Sequence, residues 1–190
     1  MTARLAPPLK FVAPGTLEVT VTYLEMTAKP NLPAPPAPSL AYRIDRVERP
    51  SVPFYRYLYN TVGEPWLWHE RRKTGDAELA EILDDANLWL YVMYAGGEPA
   101  GYAELDARRL PEVELAYFGI IPKFIGQRLG PTLLHAAVDM AWRAPTTRFW
   151  VHTCTLDHPK ALPCYIRAGF APYKDAVRRI RDPRPLPLNI

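Results

Sequence analysis

Cysteine is scarce in this sequence: Cys154 and Cys164 are the only two among 190 residues. Two thiols so close together define no disulfide framework, so the composition favours a reducing, cytoplasmic setting. Together with His152 and His158 they match no common zinc spacing, and nothing marks either thiol as an activated nucleophile. The sequence therefore predicts neither a metal site nor cysteine catalysis.

Long apolar runs are also lacking. No stretch approaches the roughly 18 residues that a membrane-spanning helix needs, and the amino terminus has no signal-peptide core. A strong charge of one sign is missing as well, because the net charge is only +3 and no basic stripe with interleaved aromatic residues occurs. We therefore expect a soluble protein that binds neither membranes nor nucleic acids.

The sequence does contain enough apolar material for one core. Its residues are 48% hydrophobic and 23% charged, which is typical of a globular domain. The 22 prolines cluster most densely in residues 30–38 and 183–187, where they predict stiff, extended connectors. We divide the chain into an N-terminal extension with a strand and a proline-rich connector (1–41), a central domain (42–182) and a proline-rich tail (183–190).

Hydrophobic periodicity predicts alternating strands and helices. Strands are predicted where β-branched and apolar residues alternate or run together, at residues 16–26, 42–48, 88–94, 100–105, 112–121 and 148–156. Helical character covers residues 53–85 with two breaks, 132–143 and 157–168, with Gly169 ending the last helix. Pro163 would interrupt that helix unless the helix begins later. The order of elements predicts a mixed α/β sheet.

The most informative segment passes from a strand, through a glycine-bearing turn, into a helix start at residues 119–134. Unpaired N–H groups at a helix N-terminus carry partial positive charge and bind phosphate oxygens. Gly126 and Gly130 let that backbone approach a bulky anion, and Gln127 and Arg128 add a donor and a cation. Two such glycines are also common where no phosphate binds. Neither the P-loop nor the dinucleotide fingerprint fits.

Two motifs in this order resemble those of the GNAT superfamily of N-acetyltransferases. Residues 125–130 resemble its coenzyme A-binding segment, Gln/Arg-x-x-Gly-x-Gly/Ala: Gly130 matches, whereas Ile125 and Arg128 replace the polar first residue and the first glycine. Residues 158–170 resemble Asn-x-x-Ala-x-x-x-Tyr-x-x-x-Gly-Phe, with His158 at the asparagine position. The matching residues of this second motif are Ala161, Tyr165, Gly169 and Phe170. The resemblance covers about residues 42–175.

The resemblance implies a fold of the acyl-CoA N-acyltransferase type, a mixed, mostly antiparallel central sheet flanked by helices. It implies acetyl coenzyme A as co-substrate, no metal, and an unidentified amine acceptor that is a small molecule or a protein. The strand with Phe118 and Ile120 is expected to splay from its neighbour, so that its main chain pairs with the pantetheine amides. The implied cofactor-binding residues are Phe118, Ile120, Gly126, Gln127, Arg128, Leu129, Gly130 and His158. A homodimer stays an open alternative to a monomer.

Acyl transfer from a thioester to an amine needs a deprotonated amine, a polarised carbonyl and a proton for the departing thiolate. By the resemblance, Tyr165 supplies that proton, although its position alone would equally fit an ordinary core tyrosine.

Glu114 is the candidate general base, with Glu112 as an equal alternative. Strict alternation along the strand places Glu114 on the face of Ala116, Phe118 and Ile120, unless a bulge near Gly119 shifts the phase. A carboxylate on that face could take a proton from an ammonium group directly or through water.

An aromatic cluster precedes residue 70 and either lines an acceptor pocket or packs helices on the sheet; it comprises Phe54, Tyr55, Tyr57, Tyr59, Trp66 and Trp68. Arg71, Arg72 and Lys73 predict a solvated face. Two functions stay open. One is an N-acetyltransferase that acts on a primary amine by direct attack, and the other is a non-catalytic coenzyme A-binding or protein-interaction module on the same fold.

Overall fold

A single eight-stranded sheet organises the computed structural model, which describes residues 10–13 and 15–184. The strands are β1 (Lys10–Ala13), β2 (Thr16–Met26), β3 (Tyr42–Val47), β4 (Leu88–Ala95), β5 (Glu98–Arg109), β6 (Glu112–Ile120), β7 (Arg148–Cys154) and β8 (Ala171–Arg181). The α-helices are α1 (Val52–Gly63), α2 (Glu70–Lys73), α3 (Asp76–Asp84), α4 (Leu129–Ala141) and α5 (Ala161–Arg167).

The sheet has the strand order β1-β2-β7-β6-β5-β4-β3. Strand β8 pairs with the edge of β2 that faces away from β7. The β6–β7 pair is parallel, and the other described pairs are antiparallel. The predicted mixed, mostly antiparallel sheet flanked by helices is thus confirmed.

The two faces of the sheet carry different helices. Helix α1 packs so closely on one face that a Cβ added to Gly119 would lie 2.3 Å from Cγ1 of Val62. Helix α4 packs on the other face, where a Cβ added to Gly130 would lie 3.5 Å from Cγ1 of Ile120. Glycine at position 119 therefore lets α1 approach β6.

Strand β2 lies inside the sheet and has the predicted bounds. It pairs antiparallel with β7 through residues 21–26 and with β8 through residues 16–25. Its buried side chains are Leu17, Val19, Val21, Leu24 and Met26. The segment assigned to an N-terminal extension therefore contributes a core strand to the same sheet, while the boundaries after residues 41 and 182 stay predictions.

The proline-rich connector between β2 and β3 contains no helix or strand. It lies along the face that carries α4 and α5. Lys29 Nζ is 2.7 Å from Asp139 Oδ1 on α4. Pro30 packs so closely on Gly169 that a Cβ on residue 169 would overlap with it. Residues 185–190, most of the predicted proline-rich tail, lie outside the described part of the chain. None of the described helices is long and apolar enough to cross a bilayer.

Two helices begin elsewhere than predicted. Helix α5 begins at Ala161, four residues after the predicted start, so Pro163 lies in its first turn, where the missing N–H costs no helical hydrogen bond. Helix α4 begins at Leu129, three residues before the predicted start. Strand β8 was not predicted, because most of its residues are exposed and many are charged, as suits an edge strand.

Candidate active site

Strands β6 and β7 separate part of the way along their length. Their parallel pairing covers only Glu112–Arg148, Val113–Phe149 and Glu114–Trp150. Beyond this point β6 continues to pair with β5 but not with β7. The predicted splay is confirmed, and it leaves main-chain N–H and C=O groups of β6 facing an opening.

A cavity of about 730 Å³ occupies this opening, a volume suited to a small-molecule ligand. It extends from the turn before α4, through the gap between β6 and β7, to the loop between α1 and α2. The predicted site residues in its wall are Phe118, Ile120, Gly126, Arg128, Gly130, His158 and Tyr165. Gln127, Leu129 and Glu114 are not part of that wall.

The turn before α4 exposes its main chain to the cavity. Gly126 has φ +92°, and Arg128, the N-cap of α4, has φ +63°, a left-handed conformation that favours glycine. Arg128 stands where the related motif has glycine, so the backbone shape survives although the residue differs. The Leu129 side chain is buried in the core, and Gln127 Nε2 donates to the Lys123 carbonyl at 3.4 Å. Cofactor binding by these two residues stays a prediction, with the main chain as the available group.

Tyr165 projects from α5 into the cavity wall. Its ring packs between those of Phe118 and Phe170, with centroids 6.1 and 6.0 Å away. Burial raises the pKa of the phenol above its ordinary value, and the negative charge of Asp157 adds to this effect. The phenol therefore keeps its proton at neutral pH, as a proton donor must.

A β-bulge decides where Glu114 points. On β6, Ala116 is an extra residue, because its neighbours pair with consecutive residues of β5. Residues on either side of the bulge are out of phase, so Glu114 shares a face with Tyr117 and not with Phe118. The expectation that Glu114 lies on the face of Ala116, Phe118 and Ile120 is therefore wrong.

Glu114 instead contacts a histidine of the neighbouring strand. Nδ1 of His152 lies 3.3 Å from Oε1 of Glu114, and His152 lines the cavity. The hydrogen bond to Glu114 raises the pKa of His152 above its ordinary value, although burial opposes the shift. The alternative base, Glu112, accepts from Arg148 Nη1 at 2.8 Å and does not line the cavity. His152 was considered in the sequence analysis only as a metal ligand. The signal that could have found it is its place in the alternating pattern of strand β7, which runs parallel to β6.

Glu70 is a second carboxylate at the cavity, and the sequence analysis missed it. It is the first residue of α2, and its Oε2 accepts a hydrogen bond of 2.7 Å from the hydroxyl of Tyr117. The Tyr117 ring packs against Tyr59 and Trp68 at 5.1 and 5.4 Å, and burial raises the pKa of its phenol. The Tyr117 hydroxyl therefore stays a donor and holds Glu70 in place.

A buried polar network lies beneath Glu70. Glu104 on β5 is fully buried and accepts hydrogen bonds from Tyr55 and, at 2.7 Å, from Nη2 of Arg71. Burial raises the pKa of Glu104, and the charge of Arg71 counteracts this. Nε of Arg71 and the hydroxyl of Tyr102 are buried without a hydrogen-bond partner among the described residues. The predicted solvated face is thus wrong for Arg71, which anchors α2 to the sheet.

Asp157 fixes the loop after β7. Its Oδ2 accepts hydrogen bonds from Thr153 Oγ1 and from the main-chain N–H of Cys154, both at 2.8 Å. Its Oδ1 accepts from the indole N–H of Trp68 at 3.3 Å, so this carboxylate joins the β7 end to the loop between α1 and α2. Asp157 was not singled out in the sequence analysis, although an aspartate directly after a predicted strand was the available signal.

His158 and the aromatic cluster form the adjoining wall. The His158 ring packs on Trp66 at 4.9 Å, and burial lowers the pKa of His158, helped by Lys160. The members of the aromatic cluster divide: Tyr55 is core, whereas Trp66 lines the cavity, and binding of an acceptor there stays a prediction. Tyr59 is likewise buried, and Trp68 also lines the cavity.

The two cysteines lack the surroundings of a nucleophile. Burial raises the pKa of Cys154 to about 11 and also raises that of Cys164. In the described part of the chain, no group of three or more His, Cys, Asp and Glu side chains could hold a metal ion.

Several solved structures with this fold are described as acetyltransferases. A GCN5-related N-acetyltransferase from Sphaerobacter thermophilus has a TM-score of 0.63 and 15% identity over 88% of this chain and 52% of its own. One from Kribbella flavida has a TM-score of 0.59 and 19% identity over 90% of this chain and 61% of its own. An aminoglycoside acetyltransferase from an uncultured soil metagenomic sample has a TM-score of 0.56 and 14% identity over 67% of this chain and 87% of its own.

At these sequence identities the structural similarity shows the fold alone. This chain spans about half of the length of the first structure and about three fifths of the length of the second. A search of curated proteins gave no match. The family assignment comes from the sequence itself, because residues 52–170, more than half of the chain, match the family described as Acetyltransferase (GNAT) family. That stretch includes the splayed strands, the turn before α4 and Tyr165, so the chain belongs to the acetyltransferase (GNAT) family.

Proposed function

We propose that this protein transfers an acetyl group from acetyl coenzyme A to a primary amine by direct attack. The observation that carries the proposal is the continuity of the cavity. It joins the turn before α4 to the gap between β6 and β7, and it brings Tyr165 and His152 into one wall. We call the part at the turn the cofactor end, and the part at His152 and Glu70 the acceptor end.

The cofactor end suits a pyrophosphate and a pantetheine arm. Main-chain N–H groups at the start of α4 can bind phosphate oxygens, and Arg128, the N-cap of that helix, adds positive charge. The main-chain groups of β6 that lack a partner on β7 can pair with the pantetheine amides as a peptide strand would. Acetyl coenzyme A supplies the activated acetyl group as a thioester.

Two side chains, His152 and Tyr165, accept and donate the protons of the reaction. His152 accepts a proton from the amine, with Glu114 as the partner that orients the imidazole and stabilises its charged form. The nitrogen forms a bond to the acetyl carbon as the C–S bond breaks, and Tyr165 donates a proton to the departing thiolate. The products are an N-acetylamine and free coenzyme A, and exchange with water restores both side chains. Glu114 thus acts through His152.

Thiol release from acetyl coenzyme A in the presence of a panel of primary amines tests the proposal. Tyr165→Phe should lower kcat about a hundredfold, because the thiolate loses its proton donor. Tyr102→Phe is the matched control, since it removes the hydroxyl of another buried tyrosine that does not line the cavity and has no hydrogen-bond partner. Its kcat should equal that of the unmodified protein.

Calorimetry separates the proposal from the alternative, a non-catalytic coenzyme A-binding module. Heat of binding with acetyl coenzyme A, but no amine-dependent thiol release, would favour the binding module. If neither coenzyme A nor acetyl coenzyme A binds, both functions are wrong.

A further inference from the structure

Two carboxylates line the cavity, Asp157 and Glu70. Asp157 already accepts hydrogen bonds from Thr153, from the main chain of Cys154 and from Trp68. The cations of the wall are Arg128, Lys160, Arg167 and Arg178. Glu70 is therefore the lining carboxylate that can attract a positively charged molecule.

The carboxylate of Glu70 has room for a cation. Among the residues that the structure describes, no lysine, arginine or histidine forms an ion pair with it. The adjacent Arg71 pairs with buried Glu104 at 2.7 Å, and His152 pairs with Glu114 at 3.3 Å. Glu70 accepts its hydrogen bond from the neutral hydroxyl of Tyr117. Its negative charge is thus fixed in position but not neutralised.

Aromatic rings lie next to this exposed carboxylate. The rings of Tyr117, Tyr59 and Trp68 pack on one another, and all three line the cavity together with Trp66. Aromatic faces attract ammonium groups and cover the methylene carbons beside them. A carboxylate beside aromatic rings is a site for an alkylammonium group, whereas an anionic acceptor would gain little from it.

Glu70 and His152 line the same cavity but have different partners. Glu70 accepts a hydrogen bond from Tyr117, whereas His152 contacts Glu114. Proton removal and charge recognition can therefore take place at two points. Resting on the function proposed above, we propose that the acceptor is an aliphatic diamine or polyamine. Its second ammonium group binds Glu70 while its first amino group reacts beside His152.

The test compares an n-alkylamine with the α,ω-diamine of the same chain length, over chains of three to six carbons. Thiol release should give a kcat/KM about tenfold higher for the best diamine than for its monoamine, the effect of one charge-assisted hydrogen bond. Glu70→Gln should bring this ratio close to one. Glu64→Gln is the matched control, because it removes an exposed carboxylate from the same loop but outside this cavity. It should keep the ratio.

Calorimetric titration with the same amines measures binding without turnover. A diamine that binds about tenfold more tightly than the monoamine, and loses this advantage in Glu70→Gln, supports the inference even if no product forms. Equal kcat/KM and equal affinity for the two amines overturn the inference but leave the acetyltransferase function standing. Absence of product with every amine overturns the function instead.

Discussion

Glu114 and His152 meet where β6 and β7 part, and their contact links the sheet to the chemistry. A general base must be neutral, so activity falls as the pH decreases through the pKa of His152. Glu114 raises that pKa above the ordinary value of about 6.5. Glu114→Gln should therefore lower the pKa, and the acidic limb of the kcat/KM profile should move to lower pH. Steady-state kinetics between about pH 5 and pH 9, a range that brackets the ordinary pKa of histidine, measure the shift.

Glu112→Gln is the control for this experiment. It removes a carboxylate two residues away on the same strand, and that carboxylate is bonded to Arg148 instead of a cavity residue. Its acidic limb should stay in place. A profile that does not move in Glu114→Gln would show that His152 is not the base.

At the scale of residues, sequence patterns located the proposed acid more easily than the proposed base. Tyr165 stands in a motif of fixed spacing, and the structure brings it to the cavity wall. Glu70 is far from His152 and Asp157 in the sequence and joins them in one cavity only in the folded chain, so no local spacing connects it with them. The Glu70-Arg71 pair resembles any charged helix surface, because burial of Arg71 depends on Glu104 more than thirty residues later.

The turn before α4 combines an arginine side chain with a glycine-like backbone. Arg128 adopts φ +63°, and a non-glycine residue in this region costs about 1 kcal/mol relative to glycine. Arg128→Gly should therefore unfold at a higher denaturant concentration than Arg128→Ala, with a difference of about 1 kcal/mol. Both variants lose the same charge, so both should bind coenzyme A more weakly than the unmodified protein.

The comparison of the two variants separates backbone strain from charge. Equal stability of the glycine and alanine variants would mean that the turn relaxes out of the left-handed conformation. Unchanged coenzyme A affinity in both variants would show that the Arg128 guanidinium does not contact a phosphate.

At the scale of elements, strands with alternating apolar residues were predicted well and the remaining elements less so. Strand β2 has the predicted bounds because alternate side chains are buried in two groups, Leu17, Val19 and Val21 in a smaller cluster and Leu24 and Met26 in the main core. The bulge at Ala116 is set by pairing with β5, so the sequence of β6 alone does not show it. Strand β8 is mostly exposed, and its extended conformation is stabilised by pairing with ten residues of β2.

For the whole molecule, the position of β2 makes a strong prediction about the domain boundary. A chain that starts at residue 42 lacks five buried side chains, each worth roughly 1.5–3 kcal/mol, against a typical total stability of about 5–15 kcal/mol. It also leaves β7 and β8 without their common partner. We expect this shortened chain to lose its cooperative unfolding transition in circular dichroism and denaturant titration.

A chain that starts at residue 15 keeps β2 and is the matched control, which should unfold cooperatively. If the chain that starts at residue 42 unfolds with the same cooperativity, the boundary after residue 41 separates an independent domain.

The location of β2 also bears on how the protein is made. Tyr23 on β2 pairs with His152 on β7 and with Lys174 on β8, so the strand leaves the ribosome long before either partner exists. At about 5–20 residues per second, the wait is roughly 6–30 s. During that time its apolar side chains have no sheet to join. The fold therefore closes only after translation has passed β8, and a chaperone that shields extended apolar segments would find its target near the start of the nascent chain.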